Sequence, residues 1–231
     1  MSVKNVTFRI SRYKPGDIDP PRLREYILAV NGEMTVLDGL EAIRREQDKT
    51  LMYRHSCHHS SCGTCAMVIN GEEKLACLTR VISLESDSVT LEPLKGFKRL
   101  GDLVVEMAPL FRHIAEDWPH LRPVEVHEGA GADTDGTPPT RFENCIECGC
   151  CVSACPVFKE NQRFMGPAAL SALHREIEKS SHVGDALIRR ARRKEGAPMC
   201  VRALACSRVC PTAVYPARHI AELKKFDRET F

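Results

Sequence analysis

The chain has 231 residues, a formal net charge of +2 and 43% hydrophobic residues, which is enough to bury a core in one or two domains without disulfide bonds. No stretch approaches the roughly 18 apolar residues of a membrane-spanning helix, and we expect neither a signal peptide nor a transit peptide at the N-terminus. In the reducing compartment that this implies, the 12 cysteines are expected to bind metal rather than to form disulfide bonds.

The first hundred residues predict a small mixed sheet crossed by one helix. Apolar residues alternate over residues 6–13, and a short apolar run over residues 26–30 ends at Asn31-Gly32, which predicts a strand hairpin. Thr35 and Asp38 form a capping box, and the apolar spacing that follows predicts a helix to Gln47. Further strands are predicted at residues 66–70, 75–82 and 89–94.

The rest of the chain has mostly helical patterns. Apolar residues recur at helical spacing over residues 100–114, and the Gly- and Pro-rich residues 129–140 predict a flexible connector. Pro167 opens a predicted helix that reaches Ile177, and residues 183–194 predict a second. We therefore expect two domains, residues 1–104 and residues 105–231.

Four cysteines of the first domain have the spacing C-x4-C-x2-C-x11-C, by which plant-type ferredoxins hold a 2Fe-2S cluster. They are Cys57, Cys62, Cys65 and Cys77. A zinc site is the alternative, but zinc sites usually contain two C-x2-C pairs and this group has one. The nearby His55, His58 and His59 are interpreted as loop residues or hydrogen-bond donors to the cluster rather than as its ligands.

The second domain contains two runs of the bacterial ferredoxin pattern C-x2-C-x2-C-x3-C-P, in which the fourth cysteine binds the other cluster. The first run is complete, and the second has Ala203 in place of one cysteine. Exchanging the fourth cysteines predicts a 4Fe-4S cluster on Cys145, Cys148, Cys151 and Cys210. It also predicts a 3Fe-4S cluster on Cys155, Cys200 and Cys206, because alanine cannot hold a fourth iron.

Cys150 is left over, and we interpret it as a small buried hydrophobic residue. The motifs together predict an α+β fold: a plant-type 2Fe-2S ferredoxin (β-grasp) domain followed by an α-helical bacterial-ferredoxin-like domain. Three clusters of different type in one chain predict a path for electrons rather than a structural role.

The order of the three clusters resembles that in the iron-sulfur subunit of the succinate dehydrogenase and fumarate reductase family (complex II). Residues 54–57 (RHSC), 61–65 (SCGTC) and 164–168 (FMGPA) are similar to segments of the family. The resemblance implies that a separate flavoprotein subunit with FAD handles succinate or fumarate. Electrons would pass between this FAD and a quinone at membrane anchor subunits that bind haem, quinone or both. The chain has no Gly-rich dinucleotide loop of its own, in agreement with this division.

The resemblance also implies a peripheral subunit on the cytoplasmic face of the cell membrane, with Pro156 next to the quinone. Lys159 and Glu160 stand where succinate dehydrogenases commonly have tryptophan, and Val201 stands where many members have histidine. We interpret Lys159 and Glu160 as an exposed surface pair. These departures leave the quinone site and the physiological direction open.

Two other functions are considered. The first is the iron-sulfur subunit of a related flavin oxidoreductase with a soluble acceptor, such as a thiol or disulfide. The second is a metal-stabilised module whose basic residues 189–194 contact nucleic acid. We expect no nucleic-acid partner, because aromatic residues for base stacking make up only 6% of the chain.

Overall fold

The computed structural model describes residues 3–114, 144–179 and 184–226. The connector predicted at residues 129–140 lies outside these ranges. Within them, none of the helices is long and apolar enough to cross a membrane.

A five-stranded mixed sheet forms the first half of the chain, with strand order β2-β1-β5-β3-β4. β1 and β2 make the predicted antiparallel hairpin, whereas β1 and β5 run parallel. A parallel pair needs a crossover connection, and the chain between β2 and β5 supplies it. The strands are β1 (Lys4–Lys14), β2 (Ile18–Val30), β3 (Ala66–Ile69), β4 (Glu72–Leu75) and β5 (Ser88–Glu92).

The helix α1 (Val36–Glu46) packs across this sheet. Its capping box is as predicted, because the Asp38 backbone N–H donates to Thr35 Oγ1 at 3.1 Å and the Thr35 backbone N–H donates to the Asp38 carboxylate at 2.8 Å. A Cβ at Gly39 would lie 2.5 Å from the Phe8 ring, so a glycine is needed for this close packing of helix on sheet.

Two predicted elements are wrong. The strand predicted at residues 75–82 is a turn followed by a 3-10 helix (Ile82–Leu84), since β4 already ends at Leu75. The helix predicted at residues 100–114 is a hairpin of β6 (Arg99–Gly101) and β7 (Val104–Val105), followed by the short α2 (Ala108–Phe111). The hairpin forms in place of the predicted helix because the buried Asp102 carboxylate accepts hydrogen bonds from the backbone N–H groups of Tyr13 and Met52. These bonds hold the turn against the sheet.

The second half is helical, and α5 is its central element because α2, α3, α6 and α8 all contact it. The predicted helices that begin near residues 167 and 183 correspond to α5 and α6. The helices are α3 (Cys150–Ser153), α4 (Pro156–Glu160), α5 (Gly166–Lys179), α6 (Gly184–Ala191), α7 (Ala205–Arg208) and α8 (Pro216–Lys225).

The two halves have separate hydrophobic cores, which touch through Ile146 and Phe97 and through a buried polar contact. The buried Ser153 hydroxyl on α3 donates to the Glu73 carboxylate on β4 at 2.9 Å and accepts from the backbone N–H of Lys95 at 2.8 Å. The domain boundary predicted at residues 104/105 lies within β7.

A buried ion network fixes the sheet to the residues that follow α1. The Arg12 guanidinium donates to Asp48, to the Tyr26 hydroxyl at 2.6 Å and to Thr50 Oγ1 at 2.9 Å, and its Nε lies 3.0 Å from Asp102 Oδ1. Burial alone would raise the pKa of Asp48, but the hydrogen bonds from Thr50, Tyr26 and Arg12 outweigh it and hold this pKa well below its usual range.

We predict that Asp48→Ala lowers the melting temperature by about 10 °C, because breaking a buried ion pair costs about 3–5 kcal/mol. Since the pKa of Asp48 is lower in the folded state, its contribution is complete above pH about 4 and is lost as the pH falls. The difference from wild type, followed by circular dichroism, should therefore narrow in acid. Asp17→Ala, which removes the exposed pair with Lys14, is the control and should change little; equal effects of the two variants would contradict the prediction.

Candidate metal centres

The first group of thiols lies in the loop between α1 and β3 and in the turn after β4. The Cys62 backbone N–H donates to Cys57 Sγ at 3.4 Å. The Ala76 backbone N–H donates to the Cys65 carbonyl at 3.2 Å, which brings Cys77 next to Cys65, and the side chains of these two cysteines are in hydrogen-bond contact. The structure thus places the four predicted cysteines in two contacting pairs at one end of the sheet.

The backbone of this loop turns so that its N–H groups can point at sulfur. His58, Ser60 and Gly63 have positive φ angles of 61°, 66° and 66°. The His59 backbone N–H donates to Cys57 Sγ at 3.5 Å, so a histidine of this loop is a donor to a thiol, but through its backbone and not its ring.

The thiols of this group differ in how easily they ionise. Burial raises the pKa of Cys65 to about 12. Burial would raise the pKa of Cys62 as well, but hydrogen bonds with Thr64 and Cys57 outweigh burial and lower this pKa to about 6. Metal ligands must be thiolates, so iron binding here releases protons and stabilises the folded loop.

The second group is Cys145, Cys148, Cys151 and Cys210, which line one cavity. Burial, together with the charges of Cys148 and Cys210, raises the pKa of Cys145 to about 12. Burial likewise raises the pKa of Cys151 well above its usual value. The four thiols are therefore close enough to repel one another as thiolates, as expected where a cation is to be bound between them.

The third group is Cys155, Cys200 and Cys206, which line a cavity of about 660 Å³. Burial, together with the charges of Cys155 and Cys200, raises the pKa of Cys206 to about 11. Ala203 lines the same cavity with an exposed side chain, so a methyl group stands where the first run has a thiol.

The two cysteine runs therefore exchange their fourth members in space, as the spacing predicts. Cys155 lies with Cys200 and Cys206 rather than with the rest of its own run, and Cys210 lies with the first run. Cys150 belongs to none of the three groups. It is fully buried, in hydrogen-bond contact with Cys148, and all 12 cysteines of the chain are free of disulfide bonds.

These groups fit iron-sulfur clusters by their donor chemistry. Each consists of thiols alone, which are the donors such clusters use, and the groups have four, four and three members. Four of these eleven cysteines are buried and the other seven are partly buried. The backbone N–H groups of Arg202 and Val214 donate to Cys200 Sγ at 3.5 Å and to Cys210 Sγ at 3.3 Å. Burial and such hydrogen bonds are what set the potential of a bound cluster.

The three groups follow one another in space. A Cβ at Gly63 would lie 2.4 Å from the Ile146 carbonyl oxygen and 2.9 Å from Cys148 Cα, so the first thiol loop touches the second group directly. Cys151 of the second group lies close enough to Cys206 of the third for their charges to interact. Spacing alone did not predict these two contacts, because they join segments that are far apart in the sequence.

Exposed apolar residues surround the third group; the sequence singled out Val201 and Pro156 among them but not Leu204 and Tyr215. Val201 is 67% exposed, Leu204 51% and Tyr215 40%, and all three line the cavity, as does Pro156. Residues 201–204 lie in the exposed loop between Cys200 and Cys206. Two apolar residues in such a loop, Val201 and Leu204, were the sequence signal that could have indicated an apolar surface here. Lys159 and Glu160 are exposed, as interpreted from the sequence, and do not line this cavity.

A ferredoxin-type sheet and a helical half that carries two further thiol groups define an iron-sulfur electron-transfer protein. Residues 7–112 match the family described as a 2Fe-2S iron-sulfur cluster binding domain, and residues 141–214 match the 4Fe-4S dicluster domain.

Two curated relatives cover nearly the whole chain. The fumarate reductase iron-sulfur subunit of Mycobacterium tuberculosis is 34% identical over 95% of this chain and 91% of its own length. The mitochondrial succinate dehydrogenase [ubiquinone] iron-sulfur subunit of Candida glabrata is 33% identical over 95% of this chain and 90% of its own length. The chain belongs to the family of succinate dehydrogenase and fumarate reductase iron-sulfur subunits.

A solved structure agrees with the fold. A chain of the Mycobacterium smegmatis Sdh1 complex superposes with a TM-score of 0.80 at 24% identity, over 99% of this chain and 98% of that chain. The predicted α+β fold is confirmed, and so is the electron-transfer role within an oxidoreductase complex.

We predict that Gly63→Ala slows electron transfer between the clusters that the first two thiol groups hold, because the new Cβ must push the loop away from the Ile146 backbone. Gly71→Ala is a matched control: its φ is also positive, at 86°, but a Cβ there has no atom within 4 Å. Electron paramagnetic resonance (EPR) power saturation of the 2Fe-2S signal should show weaker coupling to its neighbour in Gly63→Ala alone. Identical behaviour of the two variants would contradict the contact's role.

Proposed function

We propose that this chain carries electrons between the FAD of a separate flavoprotein subunit and a quinone at a membrane anchor. The observation that supports the proposal most is the succession of three thiol groups, joined at Gly63/Cys148 and at Cys151/Cys206, that ends at an open apolar cavity. A single metal site with a structural role would not require such a succession.

Within this proposal each thiol group holds one cluster. A 2Fe-2S cluster is held by Cys57, Cys62, Cys65 and Cys77, a 4Fe-4S cluster by Cys145, Cys148, Cys151 and Cys210, and a 3Fe-4S cluster by Cys155, Cys200 and Cys206. When bound, the clusters supply iron that accepts and donates single electrons. The chain's own residues hold them as thiolates, exclude water by burial and donate N–H groups to sulfur.

The third cavity is proposed as the outlet toward the anchor. Its lining is mostly apolar, and the exposed Val201, Leu204 and Tyr215 extend the apolar surface outward. An exposed apolar patch of this kind is typical of a surface that another subunit covers. We place the quinone near Pro156 on this cavity, and the subunit on the cytoplasmic face of the membrane, held by an anchor that binds quinone, haem or both.

We predict that Cys210→Ser abolishes the 4Fe-4S cluster and leaves the 3Fe-4S cluster in place, whereas Cys155→Ser does the reverse. The reason is that each of these cysteines lies with the run to which it does not belong in sequence. Iron content and the EPR signal of each cluster provide the readout. Cys150→Ser is the control and should retain both clusters, because Cys150 touches Cys148 but does not line the cavity that the four thiols of the second group share.

The opposite pattern, with loss of the 3Fe-4S cluster in Cys210→Ser, would contradict the exchange of the fourth cysteines. Loss of both clusters in Cys150→Ser would show that this residue is a ligand or is needed for folding around one.

We predict that the complex, purified in mild detergent, contains a flavoprotein with FAD and at least one membrane subunit. Leu204→Asp should release the membrane subunit but keep the flavoprotein, because a charge in a buried apolar interface is costly. Ile82→Asp, which changes an apolar residue that is 59% exposed in the first half, is the control and should keep both partners. Mass spectrometry of the bound chains gives the readout.

If the wild-type complex contains a flavoprotein but no membrane subunit, this would contradict the proposal of a quinone as the electron acceptor and favour the soluble acceptor. Absence of a flavoprotein would contradict the proposed function as a whole.

A further inference from the structure

A second kind of metal-binding arrangement lies beside the first thiol group. It consists of Glu41 on α1 and of His55 and His58 in the loop that carries Cys57. Each of the three side chains offers one ligand atom: Glu41 Oε1, His55 Nδ1 and His58 Nε2. We call these residues the His-His-Glu triad. None of them is a proposed ligand of an iron-sulfur cluster.

The three ligand atoms form a nearly equilateral triangle. The two imidazole nitrogens are 3.1 Å apart, and Glu41 Oε1 lies 3.5 Å from His55 Nδ1 and 3.4 Å from His58 Nε2. With zinc-to-ligand bonds of about 2.0–2.1 Å, neighbouring ligands of a tetrahedral site are about 3.3–3.4 Å apart. The triangle therefore has the size of one face of a zinc coordination tetrahedron.

Hydrogen bonding among the three side chains does not account for the position of the Glu41 carboxylate. Both distances from Glu41 Oε1 to the imidazoles exceed those of ordinary N–H to oxygen hydrogen bonds, which are about 2.7–3.2 Å. In the described part of the chain, no Lys or Arg forms an ion pair with Glu41 within 4.0 Å. A cation between the three atoms would bind all of them at once.

The surroundings hold the triad in place. The His55 ring stacks on the buried Tyr53 ring, with centroids 5.2 Å apart and planes 30° from parallel. The Arg44 guanidinium, from the same helix as Glu41, lies 5.7 Å from the centre of the Tyr53 ring. The triad side chains are partly exposed, so a fourth position remains open to water.

A second cluster of metal-binding residue types, His174, Glu178 and His219, has a simpler explanation. Its two imidazole Nδ1 atoms are 3.0 Å apart, a hydrogen-bond distance as between His55 and His58, but here both rings are buried between α5 and α8. This cluster joins two packed helices in a hydrophobic region, and we assign it no ligand.

We propose that Glu41, His55 and His58 bind one first-row divalent cation, with Zn²⁺ the best fit, and that water completes its coordination. Imidazole nitrogens and a carboxylate oxygen are donors that such ions accept, and the set of two histidines and one carboxylate is a known kind of site. The ion would join α1 to the loop that carries Cys57. Its role is structural: it fixes this loop, in which His58 has a positive φ of 61°.

The test uses the full chain in its purified complex with its clusters in place. After dialysis against a chelator, Zn²⁺ is added back, and bound zinc and iron per chain are measured by mass spectrometry together with the zinc affinity by calorimetry. We expect one zinc per chain in wild type. Glu41→Gln and His55→Asn should weaken zinc binding at least tenfold while the iron content stays at the wild-type value, which shows that zinc has not entered a thiol site.

Two control variants should bind zinc as wild type does. Glu46→Gln changes another partly exposed carboxylate of α1, and His59→Asn changes the third histidine of the loop, which is outside the triad. The proposal is overturned if wild type binds no zinc at unchanged iron content, if Glu41→Gln binds it as tightly as wild type, or if His174→Asn abolishes the binding instead.

Discussion

The close approach of two backbones at Gly63 makes one electron-transfer protein out of two ferredoxin-like halves. A side chain at this position would meet the Ile146 carbonyl oxygen at 2.4 Å, so the first thiol loop rests on the backbone of the second group. The hydrogen bonds of Ser153 with Glu73 and with the Lys95 backbone hold the halves together nearby. These contacts, with the Phe97–Phe158 ring contact and the Gln162 side chain donating to the Gly96 carbonyl, fix the first thiol group relative to the other two.

Burial of the thiols couples iron binding to the stability of the fold. Burial raises the pKa of Cys145 and Cys206 to about 12 and about 11, so these residues are neutral thiols at physiological pH in the absence of metal. Binding iron converts them to thiolates, and the binding free energy then stabilises the fold. The buried Arg12 network differs from the thiol groups, because its charges are already paired with each other and stabilise the fold without a metal.

The cysteine spacing predicted which thiols lie together, while their roles as cluster ligands stay a prediction; the periodicity predicted the α+β fold but not every element of it. Ligand loops need fixed intervals, so the grouping of Cys155 with Cys200 and of Cys210 with Cys145 followed from the sequence. The hairpin of β6 and β7 did not, because its apolar residues have helical spacing and only the buried Asp102 decides in favour of strands. The His-His-Glu triad was not predicted from the sequence either, because Glu41 lies on α1 and comes close to His55 and His58 only when the chain is folded.

The most direct test of the three cluster assignments is Mössbauer spectroscopy of the wild-type complex loaded with iron-57. We predict three clusters per chain that contain two, four and three irons, each with its own spectral component. Two 4Fe-4S components, or a missing 2Fe-2S component in protein that is fully folded, would contradict the three assigned thiol groups and with them the succession from the flavoprotein to the quinone.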